Sequence, residues 1–309
     1  MLEEILQDMS SVKNDVFGNY VLQKLLEKGS LEMRDRLWYA MKGDGLTLSM
    51  QMYGCRVIQK AIETLPTERV LELVKEFHGH VVTLIEDQNG NHVCQKLIEV
   101  LSSKAKTMTS DGRNHYSDSI EFIVEDVLRH IARLSCHPYG CRVLQRMLEH
   151  CIPPQKERVL DQIAESRHIL LDDQYGNYVI QHVLQYGRIQ DREGILKLVL
   201  QRENGVLILS RQKFASNVVE KLLKYGTTNQ RLRVLTEMLK EVVDDETEGP
   251  TAIVLLMVRD PYANYVVQTT LDVVPEGEER NQLIGLLSSN AEKLRNYTYA
   301  KHIVAKICQ

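Results

Sequence analysis

Apolar residues recur in the segment Asn19–Glu27 at Val21, Leu22, Leu25 and Leu26, which is the spacing of one helical face. At about 100° per residue, Asn19, Tyr20 and Gln23 fall at roughly 0°, 100° and 40°, on a face away from that apolar stripe. The arrangement is not local. An aromatic residue or Asn, a small residue, two variable polar residues, two apolar residues and then Gln or Glu occupy 17–23, 53–59, 89–95, 139–145, 175–181, 214–220 and 262–268. A degenerate copy starts at Tyr299 and ends at Ala305. Successive starts are separated by 36, 36, 50, 36, 39, 48 and 37 residues. A repeat of this length predicts a solenoid in which stacked units share one continuous core.

A second amphipathic segment follows several motif helices, as in Glu68–Lys75, Lys156–Ile163 and Gln230–Leu239. Pro66, Pro153, Pro154 and Pro275 stand at or just before such segments, where a first helical turn tolerates proline. The expected unit is a pair of helices with short connectors, and no strand is expected. Asp15, Asp87, Asp173 and Asp260 precede motif helices and suit their N-terminal ends. The small second residue lies near the helix start, where bulk would crowd a neighbour. Two insertions enlarge the period: a polar one at 102–118, expected as a loop, and an acidic one at 242–250, expected as a connector loop.

Composition adds exclusions. The chain of 309 residues carries a net charge of −4, so any nucleic-acid partner must be held by a local field and not by overall charge. Six cysteines show neither a CxxC pair nor zinc-finger spacing, and two of them, Cys55 and Cys141, occupy the same motif slot, which points to reduced thiols. Cys94 takes an apolar slot and is expected in the core. His78 and His80 are expected to be structural. No membrane-spanning run, phosphate-binding loop or catalytic constellation is present, so neither enzymatic activity nor a metal or cofactor is expected.

The variable slots carry the chemistry. The third, fourth and seventh motif positions form seven triplets: Asn19/Tyr20/Gln23, Cys55/Arg56/Gln59, Asn91/His92/Gln95, Cys141/Arg142/Gln145, Asn177/Tyr178/Gln181, Ser216/Asn217/Glu220 and Asn264/Tyr265/Gln268. Apart from Asn217, the middle slot holds planar aromatic or guanidinium groups suited to stacking on bases. The flanking slots hold groups suited to base edges. Glu220 is the only acid in the seventh slot, and a carboxylate accepts both of the adjacent N1–H and N2–H₂ donors of guanine. Asn and Gln each donate and accept, so residue type alone does not separate uracil from cytosine. The residue after the seventh slot is Lys24, Lys60, Lys96, Arg146, His182, Lys221 and then Thr269, a mostly basic column that is either a source of positive field or a solvated flank. Without the triplets in register, a protein-binding solenoid of the armadillo or HEAT kind would be the alternative.

These motifs resemble the Pumilio, or PUF, homology domain, and the resemblance covers essentially the whole chain as one domain, 1–309. It implies an all-α, right-handed superhelical solenoid of about eight three-helix repeats, crescent-shaped, with RNA on the inner face. In that family each helical repeat reads one base with two or three side chains. The family code pairs Asn and Gln with uracil, Cys or Ser and Gln with adenine, and Ser and Glu with guanine, on RNA running antiparallel to the protein. Carried over triplet by triplet, the site is 5′-UGUAUAU, with Asn264 and Gln268 on the first base. The resemblance further implies a cytoplasmic, monomeric binder of messenger RNA 3′ untranslated regions. It would act in repression or decay through protein co-regulators held on the convex face or the 242–250 loop. A less specific RNA binder in ribosome biogenesis is the family's other possibility. Lys301, His302 and Ala305 depart from the pattern, since Ala305 cannot bond a base, and 290–309 is expected to be a C-terminal cap. One more reading repeat of the family would fall before Met1, as in a shortened chain or a naturally short protein, leaving an eighth base, adenine, unread.

Overall fold

The computed structural model describes residues 2–13, 15–106, 118–244 and 249–307. Each motif opens a helix at its second residue. The seven motif helices are Gly18–Lys28, Gly54–Thr64, Gly90–Lys106, Gly140–His150, Gly176–Tyr186, Ala215–Tyr225 and Ala263–Val273. The small residue at the start has a steric reason. A Cβ on Gly140 would lie 2.4 Å from the carbonyl oxygen of Leu134, on the short helix Ile131–Ser135 that packs beneath it.

The chain divides into two units, Met1–Ile163 and Ala164–Gln309. In the first, the four motif helices from Gly18 to His150 pack in order, each against the next. Short helices precede them (Gly45–Ser49, Val81–Glu86, Ile131–Ser135), and longer ones follow (Leu31–Met41, Thr67–Lys75). In the second unit the last three motif helices likewise pack in order, accompanied by Ile189–Gln201, Gly205–Ser210, Thr228–Met238 and Ile253–Arg259. The complete repeat therefore has three helices, not the pair that periodicity alone suggests. The third is only five to seven residues long in most repeats, too short to show a helical period.

The fifth and sixth motif positions form the core. Val57, Ile58, Val93, Val143, Leu144, Val179, Ile180, Val218, Val219, Val266 and Val267 are buried, as is Cys94, whose thiol burial pushes up to about 12. Val21 in the first repeat differs, being 42% exposed. Arginines tie motif helices together at their C-terminal ends, where carbonyls lack intrahelical partners. Arg34 donates to the carbonyls of Gly29 and Glu27 and to that of Thr64 in the next repeat. Arg231 does the same for Leu223, Lys224 and Val273.

Two expectations are corrected. The 242–250 segment is not simply a loop. Strands β1 (Glu241–Asp244) and β2 (Gly249–Ala252) pair antiparallel, with Glu241 opposite Ala252 and Asp244 opposite Gly249. Val242 and Val243 are β-branched and suit extended backbone, and Lys240 accepts from the N–H of Ile253 at 2.8 Å at the base of the hairpin. The run of acids and the Gly-Pro pair masked this signal; 245–248 lies outside the described residues. The polar insertion also begins later than expected. The third motif helix continues to Lys106, with Leu101, Ser102 and Ala105 buried, and 107–117 lies outside the described residues. At the C-terminal end, Lys301–Ile307 forms a helix that packs on the seventh motif helix and buries Ile303 and Val304, placing apolar cover where a cap is expected.

Candidate nucleic-acid interface

The three variable slots have three different environments, and the division holds in all seven repeats. The third slot is buried: Asn19, Cys55, Asn91, Cys141, Asn177, Ser216 and Asn264 are between 0% and 4% exposed. The fourth slot is exposed: Tyr20, Arg56, His92, Arg142, Tyr178, Asn217 and Tyr265. The seventh is half-buried: Gln23, Gln59, Gln95, Gln145, Gln181, Glu220 and Gln268. The helical wheel puts all three slots on one polar face. The wheel also ranks them: the apolar residues of the first repeat fall at roughly 200–340° from the third slot, so that slot borders the stripe, the seventh at about 40° stands farther off and the fourth at about 100° lies opposite.

In the third slot the asparagines are fully engaged. Asn91 Nδ2 donates to the carbonyls of Asp87 and Gln88, both at 2.9 Å. Its Oδ1 accepts from Gln95 Nε2, also at 2.9 Å. The same three bonds recur at Asn19, Asn177 and Asn264. The other repeats are built differently. Cys55 Sγ lies 3.4 Å from the Met52 carbonyl, and Gln59 Nε2 donates instead to the Cys55 carbonyl at 3.2 Å. Burial holds the Cys55 thiol above its ordinary range, so it stays protonated. Ser216 Oγ donates to the Lys213 carbonyl at 3.3 Å. Glu220 sits in the half-buried seventh slot, and that burial raises its carboxyl above the ordinary range, with Lys221 acting in the opposite direction.

At the fourth slot Asn217 Nδ2 donates to the Lys213 carbonyl at 3.2 Å, whereas the six planar side chains carry no such tie among the described residues. Tyr20 and Tyr265 are each 56% exposed and Tyr178 is 49% exposed, a large accessible area for rings. Partial desolvation of the otherwise exposed His92 ring, with the Arg142 charge second, lowers its pKa. Gln59, His92, Gln95, Lys96 and Arg146, from three successive repeats, line one cleft of about 400 Å³.

The basic column is largely neutralised in the first unit by an acidic column three residues on, which the sequence reading missed. Lys24 pairs with Glu27 at 2.8 Å and Lys60 with Glu63 at 2.7 Å. Lys96 pairs with Glu99 at 3.2 Å and with Glu63 at 3.0 Å, and Arg146 pairs with Glu149. In the sixth repeat the second column holds Lys224 instead. Lys221 and Lys224 lie 5.5 and 5.8 Å from the Tyr225 ring centre, and neither forms a salt bridge among the described residues. Among the described residues no group of His, Cys, Asp and Glu could hold a metal ion, and no helix is long and apolar enough to cross a membrane.

Asp15, Asp87, Asp173 and Asp260 each accept two backbone N–H groups at the start of their motif. At Asp15 the bonds from Gly18 and then Phe17 hold the carboxyl below its usual range. The capping role is readable from sequence. Their company with Asn at the third slot is also visible there, as a pairing between positions four residues apart.

Comparison with known proteins is consistent with this geometry. The family model of the Pumilio-family RNA binding repeat matches residues 14–38, 46–78, 80–108, 130–164, 173–200, 206–239 and 254–288. A Pumilio domain-containing protein of Schizosaccharomyces pombe is 30% identical over 303 residues, covering 95% of this chain and 39% of that protein. A putative pumilio homolog 8, chloroplastic, of Arabidopsis thaliana is 30% identical over 309 residues, covering 99% of this chain and 54% of that protein. The chain thus spans about half or less of the length of these relatives. Among solved structures, the Puf3 RNA binding domain bound to Cox17 RNA 3′ UTR recognition sequence site A is similar with a TM-score of 0.84 and 36% identity, over 99% of this chain and 85% of that one. PUF-8 in complex with PBE-RNA is similar with a TM-score of 0.84 and 34% identity, over 99% and 82%. With seven family matches laid over seven motif helices, and solenoids of the same repeat superposing along its length, this chain belongs to the Pumilio family of RNA-binding repeat proteins.

Proposed function

We propose that this chain binds single-stranded RNA sequence-specifically, one base per repeat, at UGUA-containing elements of about 5′-UGUAUAU in messenger RNA 3′ untranslated regions. The observation that carries the reading is the sevenfold division of slots: a buried third residue, an exposed fourth that is planar in six repeats, and a half-buried group with a hydrogen-bonding head at the seventh. A stacking plane beside a positioned hydrogen-bonding head is what an unpaired base requires. The fourth-slot groups stack the bases. The seventh-slot groups, oriented by the third, meet their edges. No catalytic step is assigned to any residue.

Post-transcriptional repression or decay in the cytoplasm then follows from recruited protein co-regulators. A cavity of about 480 Å³ beside the hairpin, lined by Glu241, Pro250, Leu255, Arg259, Lys293 and Tyr297, is a suitable place for one of them. The guanidinium of Arg259 lies 4.9 Å from the Tyr297 ring centre there.

The test is fluorescence-anisotropy binding to UGUAUAU beside UCUAUAU at one fixed, near-physiological salt concentration. Tight binding to the first and a large loss on the second support the reading. Equal binding to both indicates a nonspecific RNA binder, and binding to neither indicates a protein scaffold.

A further inference from the structure

Asp two places before the motif and Asn at its third position occur together. Asp15, Asp87, Asp173 and Asp260 accompany Asn19, Asn91, Asn177 and Asn264. Gln51, His137 and Gln212 accompany Cys55, Cys141 and Ser216. There is no exception among the seven repeats.

The geometry explains the pairing. In each Asp repeat one carboxylate oxygen accepts the N–H of the first two motif residues, at 2.6–2.9 Å. This closes a turn that aims two carbonyls, that of the Asp and that of the next residue, at one point. Asn Nδ2 sits there and donates to both at 2.8–3.0 Å. With both amide hydrogens spent, Oδ1 faces the seventh slot and accepts from Gln Nε2 at 2.9 Å in all four repeats. The glutamine head then has one polarity: a single N–H is turned inward, while Oε1 and the other N–H remain for a ligand.

The remaining repeats have a slacker turn. His137 Nδ1 accepts the same two N–H groups at 3.2 Å. The side-chain Oε1 atoms of Gln51 and Gln212 are buried and meet no hydrogen-bond partner among the described residues. Their third-slot groups need less. Thiol and hydroxyl have one hydrogen to place: Cys55 and Cys141 Sγ lie 3.4 and 3.6 Å from the Met52 and Pro138 carbonyls, and Ser216 Oγ lies 3.3 Å from that of Lys213.

We propose that Asp15, Asp87, Asp173 and Asp260 are positioning residues that set the glutamine's polarity, so that each Asn/Gln reading unit is a relay of Asp, Asn and Gln. The proposal rests on the RNA-reading function above. Uracil offers an N3–H donor beside a carbonyl acceptor, whereas cytosine offers an N3 acceptor beside an N4–H₂ donor. An amide free to turn over serves either base; an amide of fixed polarity serves one. The relay therefore supplies the uracil-against-cytosine choice that Asn and Gln do not carry by residue type alone.

Transplanting the relay tests it. Wild type, Cys55→Asn and the double variant Gln51→Asp/Cys55→Asn are titrated against UGUAUUU and UGUAUCU, which differ at the base assigned to the second repeat. The double variant is expected to favour U over C by about tenfold, within the range for one bidentate base contact, and Cys55→Asn alone by less than about threefold. In the converse arm, Asp87→Ala is titrated against UGUAUAU and UGUACAU, and its preference for U is expected to narrow to about threefold from about tenfold. Loss of a merely structural cap lowers the thermal midpoint and weakens both RNAs equally. Unchanged ratios in Asp87→Ala, or a full switch by Cys55→Asn alone, overturn the relay while wild-type discrimination of UGUAUAU from UCUAUAU leaves base reading intact. Wild type without that discrimination overturns both.

Discussion

Gln95 Nε2 donates to Asn91 Oδ1 at 2.9 Å, across one helical turn. The bond joins a buried residue to a half-buried one and leaves the glutamine one way to face outward. Replacing Asn91 by Ala removes the side-chain acceptor and leaves the glutamine head only a longer bond to the backbone, such as Gln59 makes to the Cys55 carbonyl at 3.2 Å. Affinity for UGUAUAU is then expected to fall by about 1–2 kcal/mol, with preference at the fifth base relaxed and that at the other bases kept. Titration against RNAs varied at that base alone checks this, and an unaltered preference there would count against the orienting bond.

Glu220 gives a pH dependence. Burial raises its carboxyl above the ordinary value of 4.5, outweighing the nearby Lys221. Guanine needs the ionised form, so reading at the second base is present above the raised pKa and lost as pH falls through it. The sign for folding is opposite: protonation relieves the buried charge, so acid loss of reading does not come from this site unfolding. The ratio of UGUAUAU to UUUAUAU binding is expected to shrink as pH falls from neutral through that raised pKa. Glu220→Gln with Ser216→Asn is expected to prefer U to G at that base and to show a flat profile. A persistent preference for G in that variant would falsify the assignment.

Tyr265 presents a largely free ring. Tyr265→Ala is expected to weaken binding by roughly 1–3 kcal/mol, the loss of one stacked base. Because the side chain is exposed, the thermal midpoint should hardly move. An affinity change near zero, measured with the same RNA, removes Tyr265 from the stacking set.

The charge columns separate two kinds of lysine. Lys60 is already paired with Glu63, whereas Lys221 and Lys224 in the sixth repeat have no salt-bridge partner among the described residues. Replacing Lys221 and Lys224 by Ala should flatten the dependence of log affinity on log salt by about one to two phosphate equivalents, and Lys60→Ala by much less. Equal slopes for the two variants would show that the in-register carboxylates do not screen the first unit.

Much of this was legible from the chain alone. The 36-residue period and the apolar pairs at positions five and six give the solenoid and its core because burial imposes that periodicity on Val57/Ile58 as on Val218/Val219. The burial order of the slots is legible too, since the third borders the apolar stripe and the fourth lies opposite it; the cradle that holds the asparagine is not. A helical wheel places Asn91 beside His92 and Gln95 but carries no record of two carbonyls converging beneath it. The hairpin was hidden for another reason. Its strands are four residues each, too short for an alternating pattern to stand out beside the acids and the Gly-Pro pair.

The small second motif residue has a consequence for how the repeats can vary. At Gly140 the distance of closest approach is set against the Leu134 backbone, not against any side chain. Main chain resting on main chain works as a jig. In that repeat it holds the motif helix at one height over its short helix, whichever groups occupy the third, fourth and seventh slots. Reading residues can then be exchanged like type in a printer's frame, altering the message without moving the line.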